Sequence, residues 1–191
     1  RVLSGGSSDY TITKSSKIKT NESPSSSVQS LEQRRVLSGY VMTDSNIRTA
    51  VAAWASDASA AETTYGHISN WDTSGVTDMS WLFCGRRSFM EGDSYWDYCT
   101  STTSFNQDVG AWDTSGVTTM FMMFRYAFDF NQDIGGWVVD SVTDMNGMFH
   151  EAEAFNQDIG DWAVHCVTDM GYMFQHASAF DQDLGWCIDN G

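Results

Sequence analysis

One eight-residue pattern dominates the second half of this 191-residue chain, because it returns at a constant spacing. The strings FNQDVGAW, FNQDIGGW and FNQDIGDW, and the shortened FDQDLGW, begin at Phe105, Phe130, Phe155 and Phe180, a step of 25 residues. A unit of that length cannot close a hydrophobic core alone, whereas stacked copies bury one another's apolar residues. The repeat therefore predicts an array of stacked coils, and it makes FNQD a turn-and-strand module and not a reaction centre.

The second halves of the units align without gaps. The aligned columns include Trp71, Trp112, Trp137 and Trp162; Val76, Val117, Val142 and Val167; and Phe83, Phe124, Phe149 and Phe174. Within a unit, apolar residues fall at i, i+3, i+4 and i+7, the pattern of one helical face. In the third unit these are Met145, Met148, Phe149 and Ala152. We therefore expect a two-turn helix in each unit, capped by the preceding column of Asp78, Thr119, Asp144 and Asp169.

The remaining stretches of each unit, around Ile134 and around Val142, are long enough only for strands of two or three residues that pair with the next coil. Together these features predict an α/β right-handed solenoid over residues 66–191, interrupted by an insertion at 84–104. Ahead of it, the capping residues at 44–46 and apolar residues at helical spacing predict an amphipathic helix over about 46–61. Residues 40–65 are accordingly expected to form an N-terminal cap.

Residues 1–39 differ from the rest in composition. They contain eleven serines, the only proline and a net charge of +3, whereas the remainder has four basic and 22 acidic residues, a net −18. Because these residues can bury little apolar surface, they cannot offset the conformational entropy lost on folding, and we expect a flexible arm. A propeptide remnant is the alternative, since RVLSG occurs at 1–5 and again at 35–39, directly after a basic residue. The acidic body excludes nucleic acid as a natural partner, and no apolar run is long enough for a transmembrane segment.

The string F-N-Q-D-I-G-x-W-x-x-x-x-V-T-D-M-x-x-M-F resembles the roughly 26-residue surface-protein repeat of BspA-like proteins, relatives of the leucine-rich repeat proteins. The resemblance covers about residues 65–186. It implies an LRR-like solenoid that is secreted or exposed at the cell surface and acts in adhesion or protein binding, and it brings no catalytic residues. The chain departs from the pattern in its 25-residue unit and in the insertion.

The insertion is the place where the sequence breaks its own periodicity. Cys84 and Cys99 bracket it, and a disulfide between them would close a loop of about 15 residues. Aromatic and arginine side chains of the kind found in contact hot spots lie between the two cysteines. These candidate binding residues are Arg86, Arg87, Phe89, Tyr95, Trp96 and Tyr98. The alternative is a loop that packs its aromatic residues back onto the first coil.

Two further sets of residues suggest structural roles. Cys166 and Cys187 lie on consecutive coils and could form a second disulfide, with a partner beyond residue 191 as the alternative for Cys187. The carboxylate column Asp108, Asp133, Asp158 and Asp183 recurs on coils expected to stack about 5 Å apart. Oxygen-rich sites of this type suit structural calcium, while the alternative is a column of ordinary turn residues. No other cofactor is expected.

The favoured hypothesis is a non-enzymatic, surface-exposed or secreted module that recognises a protein or glycan. Disulfides indicate an oxidising, extracellular or secretory compartment. The alternative is a structural or accessory subunit of a large extracellular or lumenal assembly, with the N-terminal arm ordered on neighbouring subunits. An enzyme is not expected, because the sequence has no Ser/His/Asp, Cys/His or Gly-rich phosphate signature.

Overall fold

The computed structural model describes residues 39–85, 99 and 102–186. Regular secondary structure in this part of the chain lies mainly before residue 76. The elements are strand β1 (Val41–Thr43), helix α1 (Ile47–Ser56), helix α2 (Ala58–Tyr65) and strand β2 (Asp72–Gly75), with single-turn 3₁₀ helices at Ile68–Asn70 and Val164–Cys166. Strands β1 and β2 pair in parallel, with Val41 opposite Asp72. Residues 1–38, most of the predicted arm, lie outside the described residues.

The predicted helix over about 46–61 is divided into two helices at Asp57. Asp57 has an extended backbone, with φ −153° and ψ 96°, and its side chain accepts a hydrogen bond from the Ala60 N–H. It therefore ends α1 and acts as the N-cap of α2, the role for which aspartate is favoured. Helix α1 buries Ile47, Val51 and Trp54 against the first repeat unit.

From β2 onward, consecutive units are hydrogen-bonded to each other in register. Thr118 N–H donates to the Thr77 carbonyl, and Thr143 and Thr168 repeat the bond one unit further on, at 2.8–2.9 Å. The next column forms single parallel β-bridges, Asp78 to Thr119, Thr119 to Asp144 and Asp144 to Asp169. Each unit is therefore bonded only to its neighbours along the chain, through the same positions each time.

The predicted two-turn helices are wrong, because the segments that follow these bridges are runs of turns. In the second unit, Met123 and Arg125 donate N–H groups to the carbonyls three residues earlier, whereas Met122 and Phe124 donate to the next unit. Such a short helix is marginal on its own. We call this run of consecutive turns the turn ribbon. It buries the same i, i+3, i+4 side chains as a helix would, and it also lets every second backbone N–H donate to the neighbouring unit.

The turn ribbon requires positive φ angles at two columns. One column contains Trp81, Met122, Gly147 and Tyr172, with φ between 51° and 62°; the other includes Tyr126, Glu151 and His176, with φ between 59° and 61°. Each of these residues is the third of a hydrogen-bonded turn, the position that has positive φ in a type II turn. The left-handed region costs a non-glycine residue about 1–2 kcal/mol, so this strain accompanies the bonds between units.

The core consists of aromatic rings stacked from one unit to the next. Phe124 and Phe149 are 5.7 Å apart at 2°, and Phe130 and Phe155 are 5.9 Å apart at 6°. The indole column follows the same arrangement, with 6.0 Å from Trp71 to Trp112. The indole N–H of each interior tryptophan donates to a carbonyl of the preceding unit, so the one polar atom of this column is satisfied inside the core.

The FNQD positions form polar ladders at the turns, as their repetition predicts. The Asn106 side-chain oxygen accepts hydrogen bonds from the Asn131 N–H and from the Gln132 side-chain amide, both at 3.0 Å. The pattern recurs from Asn131 to its equivalents one unit later and again after that. These side chains satisfy backbone groups in a region without strand pairing.

Within residues 39–85 no repeat unit precedes the first one, and two side chains supply the hydrogen bonds that a preceding unit would make. The Asp44 carboxylate accepts from the Thr77 N–H at 2.8 Å, where later units receive a threonine carbonyl. The Arg48 guanidinium donates to the Asp78 and Ser80 carbonyls, where later units receive backbone N–H groups. An anion therefore replaces the missing acceptor, and a cation replaces the missing donors.

Candidate recognition surface

The disulfide between Cys84 and Cys99 fixes the ends of the insertion to the first unit. The two cysteines are bonded, with Cα atoms 4.8 Å apart, and both are buried. This is the pair that the sequence predicted. The six candidate binding residues between them, Arg86, Arg87, Phe89, Tyr95, Trp96 and Tyr98, lie outside the described residues, so their role in binding stays a prediction.

Beside the base of this insertion lies a group of aromatic residues around one arginine, which we call the aromatic–arginine cluster: Trp81, Phe121, Arg125, Tyr126 and His150. The Arg125 guanidinium lies 4.7 Å from the Tyr126 ring centre and 6.0 Å from that of Trp81. The Trp81 and Phe121 rings meet edge to face at 5.1 Å. Arg125 also donates to the His150 Nδ1 at 3.3 Å and to the Tyr126 hydroxyl at 3.3 Å.

The cluster and the insertion are physically adjacent. The Gly85 N–H donates to the Arg125 carbonyl at 2.7 Å. A Cβ atom at Gly85 would collide with the Tyr126 carbonyl oxygen, so the chain can enter the insertion this close to the cluster only with glycine at this position. Trp81, Phe121 and Arg125 are each partly exposed. Rigid aromatic and arginine side chains at a partly exposed site are the composition of a binding hot spot.

The repeat pattern does not reveal this cluster, because its members occupy columns that vary between units. The Arg125 position is occupied by Cys84, His150 and Gln175 in the other units, so no repeated signal marks it. The composition does mark this position, because Arg125 is the only lysine or arginine after the insertion. The alignment of this variable column places Arg125 beside His150 of the next unit.

Each carboxylate of the predicted calcium column takes part in a turn, and calcium binding at this column stays a prediction. The Oδ1 atoms of Asp108, Asp133, Asp158 and Asp183 accept hydrogen bonds from the N–H two residues later, at 2.9–3.2 Å. Within the described ranges, which include all four aspartates, no three His, Cys, Asp or Glu side chains are grouped so that they could hold a metal ion. Each carboxylate therefore closes its own turn, the role given by the alternative that the sequence left open.

Two other aspartates have perturbed acidity. Burial raises the pKa of Asp44, but the hydrogen bonds from the Thr77 hydroxyl and from two backbone N–H groups outweigh it, so the pKa lies below its usual value. At Asp113, hydrogen bonds from the Ser115 hydroxyl and N–H lower the pKa, against a smaller effect of burial. Both carboxylates are thus held ionised by local structure, as turn and capping residues are.

Cys166 is exposed and is a free cysteine in the structure. Its predicted partner Cys187 lies outside the described residues, and this second disulfide stays a prediction. None of the helices in the described part of the chain is long and apolar enough to cross a membrane.

Comparison with known proteins gives one match. No curated protein and no solved structure matches the chain significantly. Residues 51–103 and 96–190 match the family described as "Mycoplasma protein of unknown function, DUF285", which covers well over half of the sequence. This match and the disulfide are consistent with a surface-associated or extracellular protein. The chain therefore belongs to the DUF285 family.

Proposed function

We propose that this protein is a non-enzymatic recognition module, exposed at the cell surface or secreted, which binds a protein or glycan. The observation that carries the proposal is the position of the aromatic–arginine cluster beside the disulfide-anchored insertion. Recognition residues are commonly held on loops and turns above a rigid scaffold. The cluster also contains the one arginine in the second half of an otherwise acidic chain.

The scaffold in this proposal is an LRR-like right-handed solenoid, of the kind found in BspA-like surface proteins. What supports it is the bonding of each unit to the next through identical positions and the stacking of equivalent rings at 5.3–6.5 Å. A scaffold built in this way gains its stability from contacts between neighbours. The columns that do not take part in these contacts can then vary between units, and the aromatic–arginine cluster lies in such columns.

Binding is favoured over catalysis because the repeated carboxylates already have structural roles. The Asp133 and Asp158 columns close turns, and Asp44 replaces a missing carbonyl. A catalytic pair would need carboxylates placed in environments that separate their pKa values. At Asp44, burial raises the pKa but hydrogen bonds outweigh it, and at Asp113 hydrogen bonds from Ser115 lower the pKa, so neither pKa is set by a second carboxylate.

The proposal is tested with a purified chain in glycan-array and cell-surface binding assays. The variant combines Trp81→Gly with Arg125→Gln; glycine suits position 81 because Trp81 has a φ of 62°. We expect binding to weaken at least tenfold, with an unchanged circular dichroism spectrum. The matched control is Val138→Ala, since Val138 is 46% exposed and outside the cluster.

A second variant deletes residues 86–97 of the insertion while keeping both cysteines. Loss of binding in this deletion alone would place recognition in the insertion, whereas loss in both variants would place it in the insertion and cluster together. If both variants bind as the wild type does, the proposed site is wrong. If the wild type binds neither glycan nor cell surface, the proposed function is wrong.

A second candidate function is a structural or accessory subunit of a large extracellular or lumenal assembly. One observation favours it: the last described unit leaves Met170, Phe174 and Phe180 partly exposed, although the equivalent residues of earlier units are buried. The predicted ordering of the N-terminal arm on neighbouring subunits concerns residues outside the described ranges and stays a prediction.

A further inference from the structure

The peptide group that joins Asn146 to Gly147 is held between the two neighbouring units. The Asn146 carbonyl accepts from the Met122 N–H at 2.9 Å, and the Gly147 N–H donates to the Gly171 carbonyl at 2.8 Å. The Asn146 side-chain amide is held as well, since its Nδ2 donates to both carboxylate oxygens of Asp169, at 3.1 and 3.2 Å. Neither this peptide group nor the side-chain amide can turn without breaking a bond to a neighbouring unit.

Position 147 favours glycine for two structural reasons. Its φ is 62°, in the left-handed region that strains other residues. A Cβ atom there would also lie 3.0 Å from the Met122 Cγ, closer than packed atoms normally approach. The chemical consequence is that no side chain keeps the Gly147 nitrogen away from the Asn146 Cγ. An asparagine followed by glycine is for this reason especially prone to deamidation.

Deamidation at this pair needs only water. The Gly147 nitrogen attacks the Asn146 Cγ, its proton leaves with the side-chain nitrogen as ammonia, and a cyclic succinimide forms. Water then opens the ring at either carbonyl, which leaves aspartate or isoaspartate at position 146. Before the attack, the Asn146 amide must leave Asp169 and the Gly147 N–H must leave the Gly171 carbonyl.

From these contacts we propose that Asn146 is a deamidation site that the stacking of segment 168–176 protects, so that the site reacts only while this segment is detached. When a segment opens and closes quickly, the rate of such a reaction follows the population of the open state. The proposal goes beyond recognition by the aromatic–arginine cluster and does not depend on it.

Both products would hinder the segment from docking again. Aspartate at position 146 places a carboxylate against Asp169, where the amide donated before, so the two units repel each other at a point where they were bonded. Isoaspartate adds a methylene group to the backbone and shifts the register of the ribbon. Deamidation therefore turns a transient detachment into a lasting one.

The test compares the folded full chain with a synthetic peptide of residues 140–152 at neutral pH, with peptide mapping by mass spectrometry as the readout. We expect Asn146 to deamidate at least tenfold more slowly in the folded chain, and hydrogen exchange at the Gly147 N–H to be slowed at least tenfold too. Equal deamidation rates in chain and peptide would overturn the proposal. So would deamidation that is slowed much less than this hydrogen exchange, because the reaction would then proceed without detachment.

Asp169→Ala removes the acceptor that holds the Asn146 amide, and Asp158→Ala is the matched control. Each variant loses a carboxylate that accepts the N–H two residues later, at 2.8 and 3.0 Å, but only Asp169 also bonds to Asn146. We expect deamidation about tenfold faster in Asp169→Ala than in the wild type and unchanged in Asp158→Ala. Equal rates in the two variants would contradict protection by Asp169.

Two variants at position 146 test whether the product keeps the segment detached. Asn146→Asp is one of the products, and Asn146→Ser introduces the uncharged residue that the first unit has at this column, Ser80. The N–H groups of Met145, Gly147 and Phe149, which donate to segment 168–176, should exchange at least tenfold faster in Asn146→Asp than in Asn146→Ser. If exchange is equally fast in both, the new charge does not separate the units and the proposed lasting detachment is wrong.

Discussion

Removing the Asp44 carboxylate should loosen the first repeat unit, because this side chain stands where a preceding unit would supply a carbonyl. It accepts three hydrogen bonds, from the Thr77 N–H at 2.8 Å, the Thr77 hydroxyl at 2.7 Å and the Asp78 N–H at 3.0 Å. A capping bond to a backbone N–H contributes about 1 kcal/mol. Since Asp44 is exposed, water replaces part of each bond, and we expect Asp44→Ala to cost about 2 kcal/mol.

The Asp44→Asn variant separates the shape of the side chain from its charge. Its Oδ1 can still accept from both backbone N–H groups, but its amide nitrogen cannot accept from the Thr77 hydroxyl. We therefore expect a loss of about 1 kcal/mol, half that of the alanine variant. For a chain of this size, the melting temperature should fall by about 2–4 °C in the asparagine variant and about twice that in the alanine variant.

The comparison of the wild type with Asp44→Asn also predicts how stability depends on pH. Because the pKa of Asp44 is lowered in the folded protein, the stability it contributes is present above its usual value of 3.8 and is lost as the pH falls through the folded value. The difference in free energy of unfolding between wild type and Asp44→Asn should therefore be constant from pH 7 to about 5 and shrink below 3.8.

Urea unfolding followed by tryptophan fluorescence, repeated across this pH range, measures the effect. Asp161→Asn removes one charge at an exposed position where the structure shows no side-chain hydrogen bond, so it controls for net charge alone. If Asp44→Ala is no less stable than this control, or if the asparagine difference does not shrink at all as the pH falls below 3.8, then Asp44 does not replace the missing carbonyl.

Three further results are expected from the fold. Tyr172 is 68% exposed and has a φ of 58°, a backbone conformation that strains any residue but glycine. In urea unfolding, Tyr172→Gly should therefore be more stable than Tyr172→Ala by about 1 kcal/mol. If the alanine variant is the more stable one, the left-handed backbone at this position is not strained. Phe149→Ala should lower the free energy of unfolding by about 3–5 kcal/mol, and Phe174→Ala should lower it clearly less, because only the Phe149 ring is fully buried. Equal losses would contradict this difference in burial. Replacing Cys84 and Cys99 by serine should cost about 3 kcal/mol relative to the wild type, and an unchanged unfolding midpoint would show that closing the loop contributes nothing.

The 25-residue spacing was sufficient to predict which residues are buried. The columns of Val76, Phe83 and Trp112 are buried in every unit before the last described one, and the FNQD amides form ladders, because a repeat can bury or bond only what recurs. The turn ribbon was not predicted, since a two-turn helix and a run of turns bury the same i, i+3, i+4 face. The turns are favoured over the helix by hydrogen bonds to the neighbouring unit. The sequence of a single unit gives no information about these bonds.

Two further features that the sequence did not reveal depend on residues that do not recur from unit to unit. Asp44 and Arg48 act across 30 or more residues on Thr77 and Asp78, and no periodicity connects them. The aromatic–arginine cluster likewise combines variable columns of three units. Long-range contacts of this kind become visible only when the stacking register places the columns side by side.

The hydrogen-bonding register gives the stack a direction, and this direction explains which charges cap the first unit. In later units the threonine N–H donates to the preceding unit and the ribbon carbonyls accept from it. At the first unit, Asp44 accepts from the Thr77 N–H, and Arg48 donates to the ribbon carbonyls. An ionised carboxylate can only accept hydrogen bonds and a guanidinium can only donate them. Exchanging the two side chains would therefore set a donor against the N–H groups and an acceptor against the carbonyls, so the direction of the register fixes the sign of the charge at each position.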